Sequence, residues 1–235
     1  MRLGIKFKLN KLSVNIEYRR AIMSFIKKSF KTYNDDFYNQ YYGKNIQKPF
    51  GFSVFLPVNK IDGNQIILNN NTITVYFSSY NQEFAVNMYN AFNKSRGKEF
   101  TMFDNEMKLI SIFMQNEKRI VNDKIKIKFL SPLVVRESTE NSDYYHSYNS
   151  KKFQEQFNII VNEQLSNLEM VNEKISIKIT PIRPKKTVVK HYNQFIESSI
   201  GSFILEGNPV VLDYLYKACV GSRRSSGFGL FEVIS

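Results

Sequence analysis

The stretch Ala218-Cys219-Val220-Gly221-Ser222-Arg223-Arg224-Ser225-Ser226-Gly227-Phe228-Gly229-Leu230-Phe231-Glu232-Val233-Ile234 decides how this 235-residue chain is read. Its glycines tolerate positive φ and close backbone approach, so several amide N–H groups can turn toward one anion. Arg223 and Arg224 add charge, and Ser222, Ser225 and Ser226 add small hydroxyl donors. A Walker-type loop would carry Lys-Ser or Lys-Thr after its last glycine and then open a helix. Here Phe228 and a strand-like run follow. On residue types alone two readings stay open, a phosphate-holding loop and a surface turn between a helix and a strand.

Working outward, Asn208 caps a helix carrying Val211, Leu212, Leu215 and Ala218, which delivers the chain into this loop. Upstream, Ile125, Ile127 and Phe129 alternate with Lys124, Lys126 and Lys128 as in a half-buried strand. Phe153, Phe157, Ile160, Val161, Leu165 and Leu168 mark a long amphipathic helix. Strands are expected at Ile175–Ile179 and Thr187–Lys190, with Pro181-Ile182-Arg183-Pro184-Lys185-Lys186 between them as a basic hairpin. The first half has the same order. A strand at Leu3–Leu9 precedes a helix capped by Asn15, whose face is Ile22, Phe25, Ile26 and Phe30 while Arg19, Arg20, Lys27 and Lys31 point elsewhere. Asn34–Gln47 is a polar, tyrosine-rich connection. Strands follow at Lys48–Leu56 and Thr72–Ser78, then a helix opened by Ser79 with Gln82 at capping-box spacing and Phe84, Met88, Ala91 and Phe92 inside. Phe100–Phe103 and Leu109–Met114 close the half as strands.

Strand, helix, strand, strand, helix, strand is a ferredoxin-like order. The expected fold is α+β: two tandem ferredoxin-like (RRM-like) units, antiparallel sheets with helices packed on one face. The division falls in the polar segment Asn116–Asp123, giving units 1–118 and 119–235. The halves share a pattern and no residue-level repeat.

Composition narrows the partners. Thirty-three Lys and Arg against 21 Asp and Glu give a net charge of +12, spread along the whole chain, which points to a polyanion. An acidic membrane surface or plain solubility explains charge as well. One cysteine excludes a disulfide framework and a four-cysteine zinc site. No run has the length of a membrane span or the continuous apolar core of a signal peptide, so the expected compartment is the cytoplasm, with no membrane partner.

The order of residues in the glycine stretch resembles the C-terminal signature of the CRISPR repeat-cleaving endoribonucleases, within the RAMP superfamily of repeat-associated RNA-binding proteins. That signature is Gly-hydrophobic-Gly, a short basic stretch, then Gly-hydrophobic-Gly; Cys219 stands at its first glycine. Lys48-Pro49-Phe50-Gly51-Phe52-Ser53 resembles the family's Lys-Pro-Phe-x-Phe-Ser segment. Lys128-Phe129-Leu130-Ser131-Pro132-Leu133-Val134-Val135-Arg136 resembles its strand ending in Ser-Pro.

The resemblance implies CRISPR repeat RNA as the partner, with subunits of a CRISPR effector complex as further ones, in a monomer or homodimer. It implies cleavage without metal or cofactor: a ribose 2′-hydroxyl attacks the adjacent phosphate, leaving a 2′,3′-cyclic phosphate and a 5′-hydroxyl. Such a step wants a base, an acid and a cation near the phosphate. The family's usual histidine falls on Tyr42, with Tyr41 beside it. An ordinary tyrosine, with a pKa of about 10, holds little phenolate at neutral pH. Tyr42 is therefore expected to orient the 2′-hydroxyl or donate a proton, or else, with Tyr41, to pack the loop or stack on bases. Lys48 matches a family lysine suited to phosphate charge, and Lys27 is a second cation within reach. RNA would be gripped by Gly221, Ser222, Arg223, Arg224, Ser225, Ser226, Gly227, Phe228 and Gly229, and by Arg136, Lys151, Lys152, Arg183, Lys185, Lys186 and Lys190. His146 and His191 are the only histidines.

Two rivals remain: a repeat-RNA-binding scaffold without activity, and an unrelated binder of anionic ligands. The RNA readings require that Arg223 and Arg224 not both be buried in protein contacts, and that the loop not point away from every electropositive groove.

Overall fold

The computed structural model describes residues 1–44, 46–166 and 174–234. The first half runs β1 (Arg2–Leu9), β2 (Ser13–Asn15), α1 (Tyr18–Tyr33), α2 (Asp35–Tyr42), β3 (Phe50–Phe55), β4 (Val58–Asp62), β5 (Gln65–Leu68), β6 (Thr72–Ser79), α3 (Gln82–Lys94), β7 (Glu99–Met102) and β8 (Asn105–Met114). Its main sheet has the order β3-β6-β1-β8-β7, and β2-β5-β4 form a small second sheet. Alternation in β1 puts Leu3, Ile5, Phe7 and Leu9 on the buried face, where α1 and α3 cover them. Phe25 of α1 is the centre of this layer, with its ring 5.0 Å from Phe7, 5.5 Å from Phe92 and 4.7 Å from Phe100.

The second half runs β9 (Lys124–Phe129), β10 (Arg136–Ser138), β11 (Asp143–Tyr145), α4 (Phe153–Leu165), β12 (Lys178–His191), β13 (Gln194–Glu206), α5 (Pro209–Ala218) and β14 (Phe231–Val233). The sheet order β12-β13-β9-β14 repeats the arrangement of β3-β6-β1-β8. Both sheets are antiparallel, and each half is a ferredoxin-like unit with a core of its own.

Several local expectations change. Asn15 ends β2, and its side chain accepts from the Glu17 N–H; α1 starts at Tyr18 with no side-chain cap. Asn34–Gln47 holds a helix, α2, because Asn34 caps it and Phe37, Tyr38, Tyr41 and Tyr42 recur at i, i+4 on its inner side. Asn81, not Ser79, caps α3; Ser79 is the last residue of β6 and donates to the Pro49 carbonyl at 2.6 Å. Leu168 lies outside the described residues.

The largest correction concerns Pro181–Lys186. No hairpin forms there, because β12 runs unbroken through both prolines and turns only at Tyr192-Asn193, both at positive φ. Prolines fit because β12 is an edge strand, with a register shift between Pro181 and Arg183. Its partner β13 carries no strand signal in the sequence, since Glu197-Ser198-Ser199-Ile200-Gly201-Ser202 is polar.

Asn208 caps α5 as expected, accepting from the Val210 N–H at 2.9 Å. Asn208→Ala is expected to cost about 1 kcal/mol, a melting-temperature drop of about 2–4 °C in a calorimetric scan.

Candidate nucleic-acid interface

The glycine loop is built by the Ser131-Pro132-Leu133-Val134 segment that faces it. Ser131 Oγ accepts from Leu230 N–H at 3.0 Å, the Pro132 carbonyl from Gly229 N–H at 2.9 Å, and the Val134 carbonyl from Ser222 N–H at 2.8 Å. Positive φ at Cys219, Gly221, Arg223, Gly227 and Gly229 curls the chain between these anchors. Cys219, at φ 62° and ψ 168°, holds a backbone conformation that suits glycine. Its buried sulfur fits because Gly51 lacks a side chain; a Cβ there would stand 2.5 Å from Sγ. The loop is thus anchored between the halves rather than a free surface turn, with Ser222, Arg223, Ser225 and Ser226 left partly exposed.

The two arginines divide the work. Arg224 is 8% exposed and donates to the Ala218 carbonyl at 2.8 Å and to Gln47 Oε1 at 3.1 Å, tying α5 to the segment before β3. Arg223 is half-buried and donates to the Tyr145 hydroxyl at 2.8 Å, with Asp143 at 3.6 Å. Asp143 also holds Arg136 at 3.2 Å; the Ser138 hydroxyl, then both arginines, keep its carboxyl below the usual range. Arg19, expected to point away from the core, is buried instead. Its Nε donates to the Gly227 carbonyl at 3.2 Å and its guanidinium lies 4.9 Å from the Phe228 ring.

Two cavities open beside the loop. One, about 370 Å³, is lined by Lys48, Arg136, Gly221, Ser222, Arg223 and Ser225 among others. The other, about 450 Å³, is lined by Lys27, Tyr42, Lys44, Lys48, Phe50 and Ser225. Lys48 and Ser225 belong to both, so the loop shares one cleft with Lys27, Tyr42 and Lys48. The Lys27 and Lys48 ammonium groups stand 5.3 and 5.1 Å from the centre of the Tyr42 ring. Burial, and then the Lys27 charge, push the Lys48 pKa down. Burial pushes the Tyr42 phenol up, which keeps it protonated across the working pH range. The Lys48 ammonium rests on the Ile46 carbonyl at 2.9 Å.

Other sequence-predicted residues lie elsewhere. Tyr41, half-buried, packs its ring against the core, 4.7 Å from Phe84 and 5.2 Å from Phe37. Lys185, Lys186 and Lys190 sit on β12 and line neither cavity; Lys186 pairs with Glu197 at 2.7 Å. Lys152 pairs with Glu137 at 3.0 Å. His146 bridges Ser150 at 2.9 Å and Glu137 at 2.8 Å. Sequence reasoning missed Tyr145, whose hydroxyl holds Arg223 in the cleft; its place in a polar Tyr-Tyr-His run gave no periodic signal.

His191 is 1% exposed, and neither ring nitrogen has a partner among the described residues. Burial, then the Arg223 and Arg19 charges, push its pKa down to about 4. The folded protein therefore holds the ring neutral, while the unfolded chain takes up a proton near pH 6.5. This contribution to stability is full above about pH 6.5, falls as pH drops through that value, and levels off below about 4, for at most about 3 kcal/mol. His191→Leu is expected to shrink the difference in melting temperature between pH 7 and pH 4.5; an unaltered difference would contradict the assignment.

Three solved structures share this architecture over the full 100% of the chain. A Cas6-related protein from Pyrococcus furiosus aligns over 98% of its own length with a TM-score of 0.87 and 19% identity. A RAMP protein described as binding different RNA substrates aligns over 100% with 0.84 and 18%. A CRISPR associated protein Cas6 aligns over 99% with 0.79 and 17%. Comparison with curated protein sequences gives no match. The fold is therefore the tandem ferredoxin-like fold that these CRISPR-linked and RAMP proteins share. Residues 114–233 match the family model described as CRISPR associated protein Cas6, C-terminal. The chain belongs to that Cas6 family.

Proposed function

We propose that this protein binds CRISPR repeat RNA and cuts it once per repeat, with the scissile phosphate in the cleft shared by Lys48 and Ser225. The observation that carries the reading is the meeting of Lys27, Tyr42 and Lys48 from one half with the glycine loop from the other. The division at 118/119 is part of the proposal: residues 1–118 supply the reacting groups and 119–235 the phosphate clamp.

The neutral fraction of Lys48, enlarged by its lowered pKa, takes the proton from the ribose 2′-hydroxyl. The 2′-oxygen attacks phosphorus, the bond to the 5′-oxygen breaks, and a 2′,3′-cyclic phosphate forms. The Lys27 ammonium offsets the charge on the phosphate oxygens and gives a proton to the departing 5′-oxygen. The Tyr42 phenol, held protonated, orients the 2′-hydroxyl. No step calls on a metal, so cleavage of repeat RNA in EDTA to 2′,3′-cyclic phosphate and 5′-hydroxyl ends is the expected result. RNA that is bound and stays whole would end the nuclease reading.

One observation favours the scaffold alternative: neither histidine lines the cleft. His146 is engaged by Glu137 and Ser150, and His191 lies behind the loop against the Phe228 ring. The RAMP protein of similar fold that is described as binding different RNA substrates fits that alternative as well.

A further inference from the structure

A second groove leaves the cleft along the outer face of α1. It has a volume of about 410 Å³ and is lined by Arg20, Lys27, Lys31, Tyr38 and Tyr192; it shares Met23 and Lys27 with the cavity around Tyr42. Each end pairs a cation with a ring. The Arg20 guanidinium lies 4.9 Å from the Tyr192 ring, and the Lys31 ammonium 5.9 Å from that of Tyr38. Tyr38 stacks on Tyr42 with centroids 4.6 Å apart and planes 14° apart, which joins the groove to the cleft. Tyr192, at the tip of the β12–β13 hairpin, is 51% exposed. Among the described residues the one carboxylate ion-paired with this row is Glu17, 3.5 Å from Arg20.

We infer that this groove binds single-stranded RNA adjoining the phosphate held at Lys48. The inference rests on the proposed function, since an internal cut requires RNA to leave the cleft on both sides. The row of positive charge matches a sugar-phosphate chain, whereas the rings suit unpaired bases; a duplex keeps its bases in its own stack. Arg20 to Lys31 spans eleven helical residues, about 16 Å, room for roughly five stacked nucleotides at ~3.4 Å each.

The experiment compares two repeat RNAs made uncleavable by a 2′-deoxy sugar at the cut, one ending there and one carrying eight further nucleotides, on each side in turn. On one side, the added nucleotides should tighten binding by the parent protein roughly tenfold, the scale of one or two base–aromatic stacks. Lys31→Glu and Tyr192→Ala should each remove most of that gain and leave the shorter RNA bound as before. Unchanged melting temperatures would show that both variants fold. Equal weakening of both RNAs, or no gain from added nucleotides on either side, would overturn the inference alone. Failure of the parent to bind either RNA would instead overturn the function on which it rests.

Discussion

Lys48→Ala is expected to slow repeat-RNA cleavage by about 10²–10⁴-fold in single-turnover assays, the usual scale for loss of a positioned general base. Burial, and then the facing Lys27 charge, displace the Lys48 amine toward neutrality. Its amine must be deprotonated to act, so the parent's rate should rise with pH and flatten earlier than for an ordinary lysine. That limb should vanish in the alanine variant. Lys48→Arg separates base from cation: a guanidinium keeps the charge and never deprotonates, so the variant should be as slow as alanine. Arginine rescue would mean that Lys48 only steadies phosphate charge.

Gly229→Ala is expected to lower stability by about 3 kcal/mol or more. At φ 70° an alanine incurs about 1–2 kcal/mol of backbone strain, and its Cβ would collide with the Val220 carbonyl. Neither partner can yield cheaply, because the Gly229 carbonyl accepts from Val220 N–H at 3.0 Å and its N–H is held by Pro132. The melting temperature should fall by about 6–12 °C. Gly63→Ala is the control: φ is 55° and nothing lies within 4 Å, so only the backbone strain is felt there. Equal losses at both positions would show that the loop is not clamped as described.

The fold was legible where burial is one-sided. β1 and β9 alternate apolar and lysine residues because one face meets helices and the other solvent, and α3 and α5 carry clean apolar stripes. It was illegible where that rule fails. β12 carries two prolines that only an edge strand tolerates, and β13 places Ser198 and Ser199 inside, where hydrogen bonds to Thr187 and Tyr148 satisfy their hydroxyls. Of the four candidate catalytic residues, Lys27, Tyr42 and Lys48 share a cleft, whereas Tyr41 packs against the core. The split between Arg223 and Arg224 could not be read, because adjacent identical side chains differ only in what the turn points them at.

The most direct measurement is a crystal structure of the protein with repeat RNA carrying a 2′-deoxy sugar at the cut. The account predicts the scissile phosphate between Lys48 and Ser225, with the Lys48 nitrogen facing the 2′ position and Arg223 on the sugar-phosphate chain. RNA lying along the lysines of β12, with the cleft beside the glycine loop unoccupied, would contradict it.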